Sequence, residues 1–316
     1  GWQIPIITSD EHSAARVLNI NTKNLLKKFT EGMEVAVVSG FQGLGPDGRI
    51  TTLGRGGSDT SAVALAAAFK AERCDIFTDV DGVYTTDPRV CNKARKLDKI
   101  SYEEMLELAS LGAKVLQTRS VELATRYKVR LRVLSSFIKE FDEKKGTLVC
   151  SEGEIVENKV IAGVAFSRDE AKLTVTGIED RPGIAANIFG KLADQSVNVD
   201  MIVQNVSENG LTDMTFSCPV DQVARAKEAL NKDAEKNILK YRQLLIDEEI
   251  AKVSIVGIGM KTHSGIAKMM FESLAKESIN IIVISTSEIK ISVLISRKYL
   301  ELAVQTLHDT FELEKV

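Results

Sequence analysis

An internal repeat in the second half of the chain limits its fold more than any other feature of the sequence. The segment Lys172–Ile178 recurs as Lys252–Ile258, 80 residues further along. The triplet Gly183-Ile184-Ala185 recurs as Gly265-Ile266-Ala267 after 82 residues. A period of this length is too long for a solenoid and indicates two copies of a small domain. The apolar spacing in each copy predicts the order strand, helix, strand, strand, helix.

The two copies differ at their ends, and this difference predicts an insertion. The first copy continues into a further strand near Tyr241–Ile246, whereas the second ends after a helix at about Thr310. A second unit with only three strands leaves an edge unpaired. Val160–Phe166 precedes the first copy and can supply the fourth strand. We therefore expect a first domain at 171–247, inserted into a second domain that comprises 158–170 and 248–316.

Residues 1–150 alternate short β-branched runs with helical patterns. Strands are expected at Val35–Val38, at Cys74–Val80 and at Arg130–Leu134. A helix is expected over Ser58–Lys70, with Val63, Leu65 and Phe69 spaced for burial. Another begins with the capping box Ser101–Glu104, and Gly112 can close it. This alternation predicts an α/β domain with a largely parallel sheet.

Charge and cysteine content exclude several kinds of partner. Lys plus Arg number 41 and Asp plus Glu 44, and no strongly basic block occurs, so no nucleic-acid partner is expected. No apolar run reaches the roughly 18 residues that span a bilayer, so no membrane partner is expected either. The four cysteines form no CxxC pair, which argues against zinc and disulfides and for a reducing cytoplasm. With only three histidines, catalysis is not expected to use a histidine base.

Residues 40–57 hold seven of the 21 glycines. The spacing Gly43-x-Gly45-x-x-Gly48 matches a dinucleotide fingerprint, but that fingerprint must open a helix. Here Pro46-Asp47-Gly48 is typical of a turn, and the extended run Arg49–Leu53 follows it. A hairpin is the better interpretation.

The segment Leu53–Thr60 predicts an anion site. Its glycines let backbone N–H groups approach a ligand, and a helix beginning at Ser58 or Asp59 directs its positive end to the same place. Arg55 adds donors suited to a carboxylate or phosphate. Helix capping by Ser58 or Asp59 is also expected, but capping alone does not require the sequence Arg-Gly-Gly.

The segment Thr78–Arg89 follows a predicted strand. Ligands of open parallel sheets bind beyond the carboxyl ends of the strands. Hydroxyls, two acids near a turn, an aromatic ring and a final arginine suit a nucleotide. The alternative is a solvated loop.

Three segments, Leu53–Thr60, Phe77–Arg89 and Gly112–Val115, together resemble the aspartate kinase family. The repeat, with Asp180–Gly183 and Asn198–Asn205, resembles the paired ACT domains of that family. The resemblance implies an amino-acid kinase (carbamate-kinase-like) α/β domain followed by two ferredoxin-like βαββαβ ACT domains. It implies transfer of phosphate from ATP, with Mg2+, to the side-chain carboxylate of L-aspartate. The product, 4-phospho-L-aspartate, opens the route to lysine, threonine and methionine.

The resemblance also assigns roles to residues. Asp59 is the acid that organises a catalytic lysine, and no protein ligand to a resident metal is assigned. The residues expected to bind L-aspartate are Arg55, Gly56, Gly57 and Ser58. Those expected to bind ATP are Phe77, Thr78, Asp79, Val83, Tyr84, Thr85, Thr86, Asp87, Pro88 and Lys114. Those expected to bind lysine or threonine as effectors are Asp180, Ala185, Asn198, Val199, Asp200, Gln204, Thr262 and His263.

Physical arguments support part of the effector assignment. Backbone donors at the helix start near Gly183 can hold an α-carboxylate. Asp180 or Asp200 can accept from an α-ammonium group, and Gln204 shares a strand face with Asp200. Turn formation alone would also explain Asp180. His263 could contact an effector bound by a partner chain, because the resemblance implies a homo-oligomer formed through the ACT domains.

One departure from the family is large. The family begins with a Lys-Phe-Gly-Gly-Thr segment that supplies the catalytic lysine and a phosphate-binding loop, whereas this sequence begins Gly1-Trp2-Gln3. We therefore expect a missing N-terminal segment and no activity from the chain as given. The alternative is a non-catalytic, amino-acid-sensing regulatory subunit. Another amino-acid kinase, acting on glutamate or carbamate, is a third hypothesis, against which the ACT pair argues.

Overall fold

The computed structural model describes residues 5–111, 115–137, 145–155, 160–205, 210–235 and 240–315. The chain divides into two compact units. The first comprises Gly1–Gly163, Val256–Thr262 and Glu312–Val316, and the second comprises Val164–Ile255 and His263–Phe311.

The first unit contains two four-stranded sheets. The strands of one are β1 (Ile6–Thr8), β2 (Val17–Ile20), β3 (Gln42–Leu44) and β4 (Ile50–Thr52), in the order β2-β1-β3-β4. Those of the other are β5 (Cys74–Thr78), β6 (Lys99–Ser101), β7 (Leu131–Ser135) and β8 (Thr147–Cys150), in the order β5-β7-β8-β6. Its helices are α1 (Lys23–Thr30), α2 (Gly57–Phe69), α3 (Tyr102–Ser110) and α4 (Thr118–Tyr127). In the β5-β7-β8-β6 sheet, the pairs β5–β7 and β6–β8 are parallel and β7–β8 is antiparallel, so this sheet is largely parallel as expected. In the other sheet only β1–β3 is parallel, so that sheet is largely antiparallel.

Most of the local predictions for this unit are confirmed. β3 and β4 form the predicted antiparallel hairpin, with Gly48 at φ +79° in its turn. The capping box is present, since Ser101 Oγ accepts from the Glu104 N–H at 3.1 Å and a Glu104 carboxylate oxygen accepts from the Ser101 N–H at 3.2 Å. Gly112, expected to close that helix, lies outside the described residues. In α2, Val63 is fully buried, while Leu65 and Phe69 are half-buried.

The buried strand predicted at Val35–Val38 is wrong. These residues form no strand, and Val35 and Val37 are 78% and 97% exposed. A β-branched run forms a stable strand only when a neighbour completes its hydrogen-bond ladder and covers its face. Among the described residues no strand pairs with this run.

The second unit shows the predicted repeat. The first copy supplies β9 (Gly163–Glu179), α5 (Ile184–Asp194), β10 (Ile202–Gln204), β11 (Leu211–Pro219) and α6 (Val223–Glu235). The second supplies β12 (Gln243–Val256), α7 (Ile266–Lys276), β13 (Ile281–Thr286), β14 (Lys290–Ser296) and α8 (Leu300–Thr310). Each copy thus has the order strand, helix, strand, strand, helix.

All six strands of the second unit form one sheet, in the order β10-β11-β9-β12-β14-β13. The sequence suggested separate strands at Val160–Phe166 and at the start of the first copy, but most of the former continues into the latter as the 17-residue strand β9. In the same way, the last strand of the first copy and the first strand of the second are the single 14-residue strand β12. β9 and β12 are neighbours at the centre of the sheet. A core of apolar side chains from β9, β11, α5 and α6, including the fully buried Phe216, covers the half formed by the first copy.

A search of the described residues for helices long and apolar enough to cross a bilayer finds none.

Candidate functional site

The loop before α2 has a backbone that only glycine adopts readily. Gly54 and Gly56 have φ angles of +78° and +68°, in the left-handed region. A Cβ atom on Gly56 would lie 1.7 Å from Cγ of Gln117, so no larger residue fits there. Gly56 is the N-cap of α2 and no side chain caps this helix, so the capping role predicted for Ser58 or Asp59 is wrong. The positive end of α2 is therefore left open toward a ligand.

Arg55 and Asp59 lie on either side of this helix start. Arg55 is exposed, and none of the described residues forms a hydrogen bond or ion pair with its guanidinium group. Asp59 is half-buried, and burial raises the pKa of its carboxyl group, although hydrogen bonds from the Ser58 hydroxyl and the Gln117 N–H oppose that rise. The start of α2 is thus flanked by a cation that none of the described residues pairs, which suits an anionic ligand, and by a partly desolvated acid, which suits an ammonium group.

The segment after β5 has exposed and buried members. Phe77 is 51% exposed, Asp79 and Pro88 are exposed, and Asp87 pairs with Arg89 at 2.7 Å. The Tyr84 hydroxyl donates to Asp81 at 2.9 Å, and burial together with this carboxylate raises the pKa of Tyr84. The Thr78 hydroxyl donates to Asp79 at 3.1 Å. These side chains form a polar surface with two aromatic rings, those of Phe77 and Tyr84, at the carboxyl end of β5.

Three other residues assigned to ATP lie behind this surface. Val83, Thr85 and Thr86 are buried, which means that their side chains support the segment from within. Thr147 Oγ1 accepts from the Val83 N–H at 2.8 Å, and the Thr85 N–H donates to the carbonyl of Arg95 at 2.8 Å. Lys114, the last of the residues assigned to ATP, lies outside the described residues. α2 packs against β5, so the Arg55 loop and the segment after β5 belong to adjoining elements.

The second unit contains a pocket at the start of α5. It is lined by Asp180, Arg181, Pro182, Gly183, Ile184, Ala185 and Gln204. Three of the predicted effector ligands, Asp180, Ala185 and Gln204, therefore lie together. Gly183 has φ +90° and begins α5, so the first N–H groups of that helix face this region.

The other predicted effector ligands are not in the pocket lining. The Asn198 N–H donates to the side chain of Gln222 at 2.7 Å. Val199 is half-buried against the core of the first copy. Thr262 and His263, in the loop before α7, are exposed.

Asp200 is already engaged by a cation that sequence reasoning missed. Lys252 Nζ lies 2.6 Å from a carboxylate oxygen of Asp200 and 2.7 Å from one of Glu170. The Lys252 side chain is only 6% exposed. Burial lowers the pKa of Lys252, but the two carboxylates outweigh it, and the net pKa is raised. No sequence signal marks this cluster, because its members are distant in the chain and Lys252 stands in an ordinary strand pattern.

Arg119 and Gln117 are further residues that sequence reasoning missed. Arg119 Nη1 donates to the Leu53 carbonyl at 2.7 Å, and Nη2 donates to the Ala15 carbonyl at 2.9 Å. Both residues lie at the start of α4 and contact the Arg55 loop. A polar residue at a helix start gives no sign in sequence of the distant carbonyl that it will bind.

Comparison with known proteins agrees with both units. The family model described as "Amino acid kinase family" matches residues 2–135, and two models described as "ACT domain" match residues 173–235 and 253–311. An aspartate kinase of Pseudomonas putida is 54% identical over 315 residues, covering 99% of this chain and 75% of that protein. An aspartokinase of Helicobacter pylori is 51% identical over 320 residues, covering all of this chain and 76% of that protein.

Solved structures give the same result. Aspartokinase III of E. coli in complex with aspartate and ADP has a TM-score of 0.77 at 30% identity, covering 98% of this chain and 68% of that one. The same enzyme in complex with lysine and aspartate has a TM-score of 0.72, with the same identity and coverage. With an amino-acid kinase domain, two ACT domains and relatives this similar over its whole length, the chain belongs to the aspartate kinase family.

Proposed function

We propose that the protein transfers the terminal phosphoryl group of MgATP to the side-chain carboxylate of L-aspartate, giving 4-phospho-L-aspartate and ADP. The observation that carries this proposal is Arg55, an exposed cation that none of the described residues pairs, at the open start of α2. A carboxylate of the substrate supplies the missing partner through a charge-assisted hydrogen bond. The structural relative bound to aspartate and ADP supports the choice of substrates.

Phosphoryl transfer depends mainly on positioning and on charge stabilisation rather than on a strong base. Asp59 is next to the Arg55 loop and partly desolvated, so it is suited to hold a cationic group, such as the ammonium of a lysine, near the reacting oxygen atoms. Gly56 and Gly57 allow the backbone to approach the substrate closely. Ser58, exposed at the first turn of α2, offers a hydroxyl.

We assign MgATP, as a substrate, to the segment that follows β5. Phe77 and Tyr84 offer aromatic faces, and Thr78 and Asp79 offer polar atoms, at the carboxyl end of a parallel strand. Val83, Thr85 and Thr86 shape the segment from inside. The non-catalytic alternative has less support, because the kinase family model matches residues 2–135.

We further propose that lysine or threonine binds at the start of α5 and inhibits the kinase, which would place the enzyme in the route to these amino acids. The pocket combines an acid, Asp180, with the N–H groups of a helix start, and free amino acids carry the complementary charges. The relative with lysine bound supports one of the two candidates. Homo-oligomer formation through the ACT domains is part of this proposal, and sedimentation with and without each amino acid tests it.

The domain limits 171–247 and 158–170 plus 248–316 also remain a proposal. The sheet order supports them, because β9 lies beside β12 and gives the second copy a fourth strand.

Arg55→Ala tests the aspartate site in the protein that carries this sequence. Loss of a charge-assisted bond worth about 1.5–3 kcal/mol should raise the KM for aspartate about 10- to 160-fold, with the KM for ATP within about twofold. Arg49→Ala is the matched control, since Arg49 is exposed on the hairpin and pairs only with Asp47 among the described residues. A raised KM for ATP with an unchanged KM for aspartate would reverse the assignment of the two sites.

A further inference from the structure

The loop that carries Arg55 is closed by a hydrogen bond from the Gly57 N–H to the Gly54 carbonyl at 2.9 Å, but its residues are costly to order. Two of its residues, Gly54 and Gly56, have left-handed backbones, and glycine loses more conformational freedom on ordering than any other residue. The helix that follows has no side-chain cap. Contacts from elsewhere in the first unit therefore add to the internal Gly57–Gly54 bond in holding this loop.

The start of α4 supplies those contacts at three successive places. Before the loop, Arg119 donates to the carbonyl of the fully buried Leu53 at 2.7 Å. In the middle, the side chain of Gln117 packs directly on Gly56. After the loop, the Gln117 N–H donates to Asp59.

The partners of Arg119 are unusual for a half-buried cation. Its two donors bind neutral backbone carbonyls, those of Leu53 and Ala15. No carboxylate among the described residues pairs with it. Because these carbonyls belong to two separate segments, the planar guanidinium joins them in one fixed geometry, which a single-point ammonium cannot reproduce.

We propose that Arg119, together with Gln117, is a positioning residue for substrate binding, which acts by holding the Arg55 loop rather than by touching substrate. This inference rests on the proposed function, in which Arg55 binds L-aspartate. Arg119 fixes the entry of the loop and Gln117 covers its second glycine, so the backbone position from which the Arg55 side chain extends is set before substrate arrives. Such preorganisation should affect the binding of L-aspartate, which that loop contacts, more than the binding of the nucleotide.

The test is steady-state kinetics of Arg119→Ala in the protein that carries this sequence. We expect the KM for aspartate to rise roughly tenfold or more, and the KM for ATP to stay within twofold. Arg119→Lys should recover part of the loss, because an ammonium keeps one of the two bonds. Added ethylguanidinium should also lower the KM of Arg119→Ala for aspartate without changing its KM for ATP, whereas a general folding defect would affect both KM values.

Arg126→Ala is the matched control. Arg126 lies on the same helix, with its guanidinium carbon 5.6 Å from the centre of the Tyr127 ring, and it forms no hydrogen bond or ion pair with the described residues of the loop. If Arg119→Ala fails to fold, Gln117→Ala replaces it, since that variant keeps both carbonyl bonds and removes only the cover over Gly56. Its KM for aspartate should then rise severalfold.

The KM values of Arg55→Ala, measured in parallel, separate the positioning role of Arg119 and Gln117 from the proposed aspartate site. If Arg55→Ala raises the KM for aspartate and neither Arg119→Ala nor Gln117→Ala does, the positioning role is overturned. Equal increases in both KM values for Arg119→Ala overturn it as well. If Arg55→Ala leaves the KM for aspartate unchanged, the proposed substrate site is overturned instead.

Discussion

Replacing Lys252 with methionine should destabilise the second unit strongly. Methionine keeps most of the volume but removes the charge that lies between Glu170 and Asp200. Asp200 is 52% exposed and can be solvated by water. Glu170 cannot, because its side chain is 9% exposed and one of its oxygens, Oε2, is buried without a hydrogen-bond partner.

The cost of the change follows from this burial. Removing one partner of a buried ion pair costs about 3–5 kcal/mol, because a charge is left without compensation. For a unit of this size, each kcal/mol lowers the Tm by about 2–4 °C, so the expected decrease is about 6–20 °C. Differential scanning calorimetry of the whole chain at pH 7 measures it.

Two further variants control the experiment. Lys172 is the counterpart of Lys252 in the first copy, and none of the residues that the structure describes forms an ion pair with it. Lys172→Met should therefore change the stability by less than about 1 kcal/mol. The double variant Glu170→Gln with Lys252→Met removes both charges and should recover much of the loss. A Tm for Lys252→Met within 2 °C of the parent, or no recovery in the double variant, would refute the reasoning.

The cluster of Lys252, Glu170 and Asp200 also predicts that the stability of the second unit depends on pH. The pKa of Lys252 is raised above its ordinary value of 10.5, so its contribution to stability is complete below that pH. The contribution should be lost as the pH rises through the higher pKa of the folded state. Alkaline unfolding of the parent should therefore be steeper than that of the double variant.

Three other predictions concern the first unit and the thiols. Asp75→Leu should cost about 3–5 kcal/mol in urea unfolding, since Arg132, whose side chain is 4% exposed, loses its bidentate partner at 2.6 Å. Burial opposes ionisation of Asp75, but its arginine partners outweigh burial and lower its pKa, so this contribution should disappear as the pH falls below about 3.8. Gly56→Ala should abolish kinase activity and lower the Tm, because the added methyl group collides with Gln117; normal kinetics would contradict this. Burial raises the pKa of Cys74 and of Cys218 to about 11, so Ellman's reagent at pH 8 should label both thiols slowly until the chain unfolds.

Features that depend on neighbours in sequence could be predicted from the chain alone. The capping box at Ser101 and the hairpin turn at Gly48 are set by residues two to four positions apart, and the repeat order follows from apolar spacing. The strand predicted at Val35–Val38 was wrong because a β-branched run needs a partner strand, and the run itself does not specify one. Lys252 and Arg119 were missed because their partners lie 52 and 66 residues away in the chain.

The same difference between features set by neighbours in sequence and features set by distant residues holds for the candidate site. The sequence pointed to Arg55 and its glycines, because a glycine-rich turn before a helix has a local chemical meaning. It did not predict that Val83, Thr85 and Thr86 would be buried behind the exposed atoms of their segment. Burial of a side chain in a loop depends on which strands pack beneath it, and here that is decided by Thr147, far along the chain.

The central strands β9 and β12 determine whether the two copies can be separated from each other. β9 and β12 pair at the centre of the sheet, so a cut at the proposed border of 247 and 248 divides β12, and a cut just before Gln243 separates β9 from its neighbour β12. A fragment that contains one copy alone would lack part of its own sheet. Slow hydrogen exchange should therefore disappear from both copies at one common denaturant concentration, as expected when a single cooperative opening exposes them. We therefore expect the two copies to be transferable between proteins only as one piece.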